Sequence, residues 1–254
     1  MDEHQRLQVF QAQTENVRQL EKTWSHVNRQ INALILARDN SGLLIHTKIL
    51  ALTYCALAEA LFSKLIHTPH GFDLGYIDQI KIASDRGGIK NGWLKCAELA
   101  ISAVQGSKTS HGQNVKKKLT RLIKLYIFDP SVMRNKLAHG QWVIALNKDN
   151  TAINKDVTKE IRDLTVVELY RRKSALAKLS IILEDIIESP NKAHHRDYWG
   201  HLVEYEEELK RMSAWTMEKK MEQLFAKKTH AQDRCATCLL RTKRGGTEIA
   251  SGPG

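Results

Sequence analysis

The chain has 254 residues, of which 42% are hydrophobic, 26% charged and 6% aromatic, with only four prolines. This composition excludes a disordered segment, a collagen-like repeat and a disulfide scaffold, and leaves globular material sufficient for one large domain with extensions. A formal net charge of +11 draws polyanions such as RNA, DNA or an anionic surface, which is an argument for encounter and not for chemistry.

Leu, Ala, Ile and Lys dominate the composition, so an all-α fold is expected. Residues 3–37 read as one long amphipathic helix, with Leu7, Phe10, Val17, Leu20, Trp24, Val27, Ile31 and Leu34 recurring at helical steps. Asn40-Ser41-Gly42 is expected to break it. A second helix, 43–66, is apolar on more than one side and should lie in the core. Its stretch also carries His46, Lys48, Glu59 and Lys64, which argues against a membrane span.

Residues 72–92 are mixed. Asp85-Arg86-Gly87-Gly88 and Asn91-Gly92 are loop signals, with at most one short helix near 76–83. A third clear helix runs from Trp93 to about Val104, and the polar stretch 106–113 reads as a loop. The fourth helix, about 114–127, has a core stripe of Val115, Leu119, Leu122, Ile123 and Tyr126. Lys117, Arg121 and Lys124 share another face, with Lys118 beside them. From Gly106 to Phe128 there are six Lys or Arg and no acidic residue. Such a stripe is either a solvated face or a track for phosphates.

Asp129-Pro130 has the form of an N-cap followed by the first helical position. A short helix over 130–139 is expected, closed by Gly140. Gln141–Leu146 and Thr151–Ile153 flank Asn147-Lys148-Asp149-Asn150 and suggest a small β-hairpin. Thr165-Val166-Val167-Glu168 is a capping box opening a helix over 166–188, and a last amphipathic helix is expected over 197–228. The organisation implied is a helical domain over 1–190 with its core at 40–190. A helical extension over 191–228 follows, then a disordered basic tail over 229–254.

Cys55 and Cys96 fall in apolar helical stretches and read as buried thiols. Cys235 and Cys238 make a single CxxC near His230, without the further ligands of a structural zinc site. His194, His195 and His201 match no tight metal spacing, and His67 and His70 flank a Pro-Gly turn. No metal or cofactor is expected. The polar opening Met1-Asp2-Glu3-His4 lacks the pattern of a secretory signal, so a cytoplasmic, reduced chain without membrane attachment is expected.

The residues with most chemistry are Arg134-Asn135-Lys136-Leu137-Ala138-His139. Asn135 and His139 are four apart and share a helix face, so Asn135 could orient the imidazole or contact RNA. Arg134 and His139 lie about 140° apart around a regular helix, a poor catalytic pair within one copy. Arg presents a charged fork that fits phosphate oxygens, and imidazoles can serve as base and acid near neutrality. A lone Arg and His on a helix can equally be structural, the Arg paired with a carboxylate and the His buried.

This segment resembles the RxxxxH signature of HEPN domains, and residues 43–66 and 93–188 resemble the HEPN helical bundle in order and length, a likeness that covers about 40–190. The resemblance implies an up-and-down bundle with the hairpin inserted after the motif helix and an added C-terminal helix. It further implies a metal-independent endoribonuclease built as a homodimer, with Arg134, Asn135 and His139 catalytic. Lys117, Lys118, Arg121, Lys124 and Lys136 are candidates for RNA contact. A role as a toxin or an antiphage, abortive-infection effector follows from the same likeness, as does restraint by a cognate antitoxin protein or a regulatory RNA. One departure stands out. HEPN toxins paired with nucleotidyltransferase antitoxins usually carry Tyr two residues after the His, where this chain has Gln141. The alternative within the family is a non-catalytic module that binds RNA or a regulatory protein.

Overall fold

The computed structural model describes residues 1–104, 107–188 and 197–244. The described residues form an all-α bundle. α1 (Glu3–Ala37) and α2 (Asn40–Ile66) lie along each other as a hairpin. They run antiparallel, since the Lys64 ammonium near the end of α2 sits 5.4 Å from the Phe10 ring centre near the start of α1. The break between them is not at Asn40-Ser41-Gly42. Arg38 takes the left-handed conformation (φ 59°), and the Asp39 carboxylate accepts from Gly42 N at 2.9 Å. Asn40, Ser41 and Gly42 are therefore the first turn of α2. A Cβ at Gly42 would meet the Asp39 carboxylate at 2.6 Å and Leu34 Cδ2 at 2.7 Å, so this glycine leaves room both for the cap and for the neighbouring helix.

α2 is the central helix, with Leu50, Tyr54, Leu57 and Leu65 almost wholly buried. By length and composition alone it could cross a membrane, but 61% of its most apolar window is buried inside the bundle. α3 (Leu74–Ser102) comprises two helical stretches joined within the segment expected to be loop. Its Gly87 and Gly88 form a kink, with Gly88 at φ 73° and ψ 178°. Asp73 caps its start through Tyr76 N at 2.8 Å, and Gly92 lies where a Cβ would meet Phe62 at 2.7 Å.

α4 (Ser110–Ile123) continues through a π-helical segment, Lys124–Phe128, into α5 (Asp129–Ala138). Asp129 is thus not an N-cap: Phe128 before it is itself helical, and Asp129 N donates to Lys124 O. Pro130 has no N–H for Tyr126 O, its partner in a regular α-helix. The buried Tyr54 hydroxyl of α2 donates to that carbonyl instead. A proline that would stop a free helix is accommodated here by a widened turn and a tertiary donor.

The expected hairpin is reduced to one antiparallel bridge, Leu146 with Ile153, and no strand forms among the described residues. The Asn147 side chain explains why. Its Oδ1 accepts from Thr151 N at 2.9 Å and Ala152 N at 3.3 Å, and its Nδ2 donates to Thr151 Oγ1, so a side chain takes bonds a ladder would use. A further helix, α6 (Lys155–Asp163), follows. Asn154 caps it through Val157 N, and it buries only Val157 and Ile161.

α7 (Val166–Glu188) packs against α2, α3 and α8 (Asp197–Ser213). Thr165 Oγ1 accepts from Glu168 N at 3.1 Å, giving one half of the expected capping box. Glu168 turns instead to Arg171 and Arg172. The single helix expected over 197–228 is two. α8 ends at Ser213, and α9 (Met217–Arg244) extends past the expected start of an irregular tail at Thr229. The Arg171 guanidinium donates to Met212 O at 2.9 Å, Ser213 O at 3.3 Å and Trp215 O, which occupies the carbonyls a continuing helix would use. Residues 245–254 and His194-His195 lie outside the described residues, as do the side chains of Cys235 and Cys238.

Candidate functional site

The motif occupies the C-terminal end of α5. Gly140 closes that helix as expected. It sits at φ 78°, with Gly140 N donating to Leu137 O at 3.2 Å and Gln141 N to Lys136 O at 2.9 Å. These are the two bonds of a Schellman cap. His139 is the capping residue itself, at φ −92° and ψ 21°, and its N–H still reaches Asn135 O. Behind it, Trp142 Nε1 donates to Leu137 O at 2.9 Å and Gln141 Oε1 accepts from Leu146 N at 2.8 Å, fixing the chain that leaves the helix.

Met133 and Leu137 anchor the buried side of α5. Asn135 and His139 are on the exposed side, and neither side chain has a hydrogen-bond or ionic partner among the described residues. Arg134 differs. Its guanidinium pairs with the Glu59 carboxylate of α2, the two side chains 32% and 48% exposed. The expectation of a structural Arg–carboxylate pair is met here, while the matching expectation of a buried His139 is not. Glu59 was not singled out from sequence, although its position on the second helix was known. Its partner lies 75 residues away, and no local pattern signals that pairing.

Below the pair is a crevice of about 10 Å³ lined by Cys55, Ile89, Ile127 and Ser131, with room for about one water and none for a substrate. Burial pushes the Cys55 thiol up to about 12, with Arg134 and Arg172 pulling the other way. Its Sγ lies 3.8 Å from Pro130 O. A thiol so held is a neutral packing group and no nucleophile. Any substrate at Asn135 and His139 must therefore approach from the open surface.

The basic face of α4 divides. Lys118 binds Glu206 of α8 at 2.8 Å, and Arg121 lies 3.8 Å from the other oxygen of the same carboxylate. These two expected RNA contacts dock α8 onto α4. Lys117 and Lys124 are exposed and make no ion pair among the described residues. Lys136 Nζ is 3.4 Å from Asn147 O, bridging the motif helix to the following loop. Next to the motif, Val143 is 72% exposed, Ile144 50% and Ile153 56%, an apolar margin that sequence reading assigned to a hairpin. No group of three or more His, Cys, Asp or Glu that could hold a metal occurs among the described residues.

No family model, no curated protein and no solved structure matches the chain.

Proposed function

We propose that the chain is a metal-independent endoribonuclease of the HEPN type, completed by a second copy. The observation that carries this reading is the exposure of Asn135 and His139 at the end of α5, with no partner among the described residues and Arg134 adjacent. One His139 takes the proton of the RNA 2′-hydroxyl, and that oxygen attacks the adjacent phosphorus. The 5′-oxygen leaves with a proton from the His139 of the other copy. The products are a 2′,3′-cyclic phosphate and a free 5′-hydroxyl. Arg134 stabilises the charge of the pentavalent phosphate, and a guanidinium with five N–H groups can do so while one holds Glu59. Asn135 positions the phosphate or the ring. Lys117, Lys124 and Lys136 supply backbone contacts. The likeness that suggests this chemistry also suggests a toxin or antiphage role, held in check by an antitoxin protein or a regulatory RNA.

The test is incubation of the full chain with total RNA and tRNA in excess EDTA, beside His139→Ala and Arg134→Ala. Cleavage leaving cyclic phosphate ends, lost in both variants, is the expected result. If wild type and variants act alike, the nuclease reading fails.

The second reading is a non-catalytic HEPN module that binds RNA or a regulatory protein. It is favoured by the Arg134–Glu59 pair, which engages the principal phosphate ligand, and by the apolar margin of Val143, Ile144 and Ile153 beside the motif. On that reading, His139→Ala keeps both binding and biological effect.

A further inference from the structure

A partly open cavity lies far in sequence from the motif. It is a cavity of about 410 Å³ where α7, α8 and α9 meet beside α1. That is the size range of pockets for small organic ligands, about 300–1,000 Å³. Val166 and Met212 contribute apolar wall, and Tyr170 and Trp215 line the same space. Tyr170 is 54% exposed, far more than a ring used only for packing in the bundle.

The charges around it are unbalanced. Arg171 is committed to the backbone carbonyls of the α8–α9 joint, where it holds the wall in shape. Glu208 faces Lys178 at 3.9 Å. Arg211 and Lys220 also line the cavity, and neither side chain has a carboxylate or hydrogen-bond partner among the described residues. Burial, then repulsion from Lys227, holds the Lys220 ammonium below its ordinary range, as expected of a cation half removed from water with nothing to neutralise it. Two unanswered cations over an apolar floor with aromatic walls form the complement of one ligand chemistry.

We propose that this cavity binds a small organic anion with a flat apolar body, its rings against Tyr170 and Trp215 and its carboxylate, phosphate or sulfonate on Arg211 and Lys220. The site is independent of the ribonuclease reading and shares no residue with it. Because the joint between α8 and α9 is already fixed by Arg171, the cavity is formed before the ligand arrives, and little binding energy is lost to ordering.

Two probes with the same body isolate the charge. The full chain is titrated with 8-anilinonaphthalene-1-sulfonate and with N-phenyl-1-naphthylamine, which lacks the sulfonate. The expected result is saturation at one sulfonate per chain, with the neutral probe at least about tenfold weaker, as one lost charge-assisted contact implies. Arg211→Gln with Lys220→Gln should weaken the sulfonate by about tenfold or more and leave the neutral probe unchanged. Met212→Trp, which fills the cavity, should remove both. Equal affinity for the two probes, an unchanged sulfonate affinity in the Gln double variant, or no saturable binding overturns the proposal. The Gln variants lie at the surface or half-buried, so they decide the matter even if Met212→Trp does not fold.

Discussion

Tyr54→Phe is the substitution whose cost can be reasoned most directly. It keeps the ring, so no cavity opens, and removes only the hydroxyl that donates to Tyr126 O. The site is dry: Tyr54 is 1% exposed, and burial pushes its hydroxyl well above the ordinary tyrosine range, so it remains a donor throughout the accessible pH range. The carbonyl left behind has no α-helical donor, because residue 130 is proline. Leaving such a group unsatisfied costs about 1–3 kcal/mol. For a chain of this size that corresponds to a fall in Tm of about 2–12 °C. The decisive experiment is a double-mutant cycle with Pro130→Ala, which restores an N–H to the same carbonyl. In the alanine background Tyr54→Phe should cost less by about 1 kcal/mol or more, read from urea unfolding monitored by circular dichroism. An equal cost in both backgrounds would refute the idea that the tyrosine stands in for the missing backbone donor.

Gly140→Ala should lower stability by about 1–2 kcal/mol, checked by thermal unfolding, because a Cβ there meets nothing within 4 Å and the whole cost is the left-handed backbone. His67 is 3% exposed, donates Nδ1–H to Ser63 O at 2.6 Å, and is held below its ordinary 6.5 by burial, with Lys81 and Arg6 acting the same way against the Ser63 carbonyl. Its folded form favours the neutral ring, so its contribution is present above 6.5 and is lost as pH falls through the lowered value. The drop in Tm from neutral to acid pH should be smaller in His67→Gln than in wild type. Lys117→Gln with Lys124→Gln should flatten the salt dependence of RNA binding by about 1.4 in the log–log slope while leaving Tm unchanged. Lys118→Gln with Arg121→Gln should instead loosen α8 and lower Tm, and identical behaviour of the two pairs would mean that Glu206 plays no part in dividing the face.

Helices with a long apolar stripe were legible. The 3–37 stripe is α1, and the all-round apolar 43–66 is the central α2. What failed was punctuation. Gly42 and Gly92 look like breaks in a one-dimensional reading, yet each is a point where another helix comes too close for a Cβ, Leu34 in one case and Phe62 in the other. Asp129-Pro130 looks like a helix start, and locally it is a good one. The preceding helix continues through it because Tyr54, 72 residues before Tyr126, gives the Tyr126 carbonyl the donor that proline cannot. α6 was not anticipated because nine residues with two buried side chains leave little periodicity to find. The 214–216 joint was missed for the opposite reason. The amphipathic stripe crosses it, and only the carbonyls held by Arg171 break the helix.

The candidate site divides along the same line. Spacing places Asn135 and His139 on one face, and that face is exposed. Spacing cannot say which cations are already in use. Arg134, Lys118 and Arg121 are as basic in the sequence as Lys117 and Lys124, but carboxylates from α2 and α8 have answered the first three. The net charge of +11 sets 39 Lys and Arg against 28 Asp and Glu, yet only position says which cations have a carboxylate as near neighbour. Lys117 and Lys124 on α4, and Asn135 and His139 on α5, are exposed side chains without an ionic partner among the described residues. An RNA that engages the motif should therefore be drawn in by fewer charges than the composition implies, and its affinity should depend on how closely the sugar–phosphate fits the end of α5 more than on total charge.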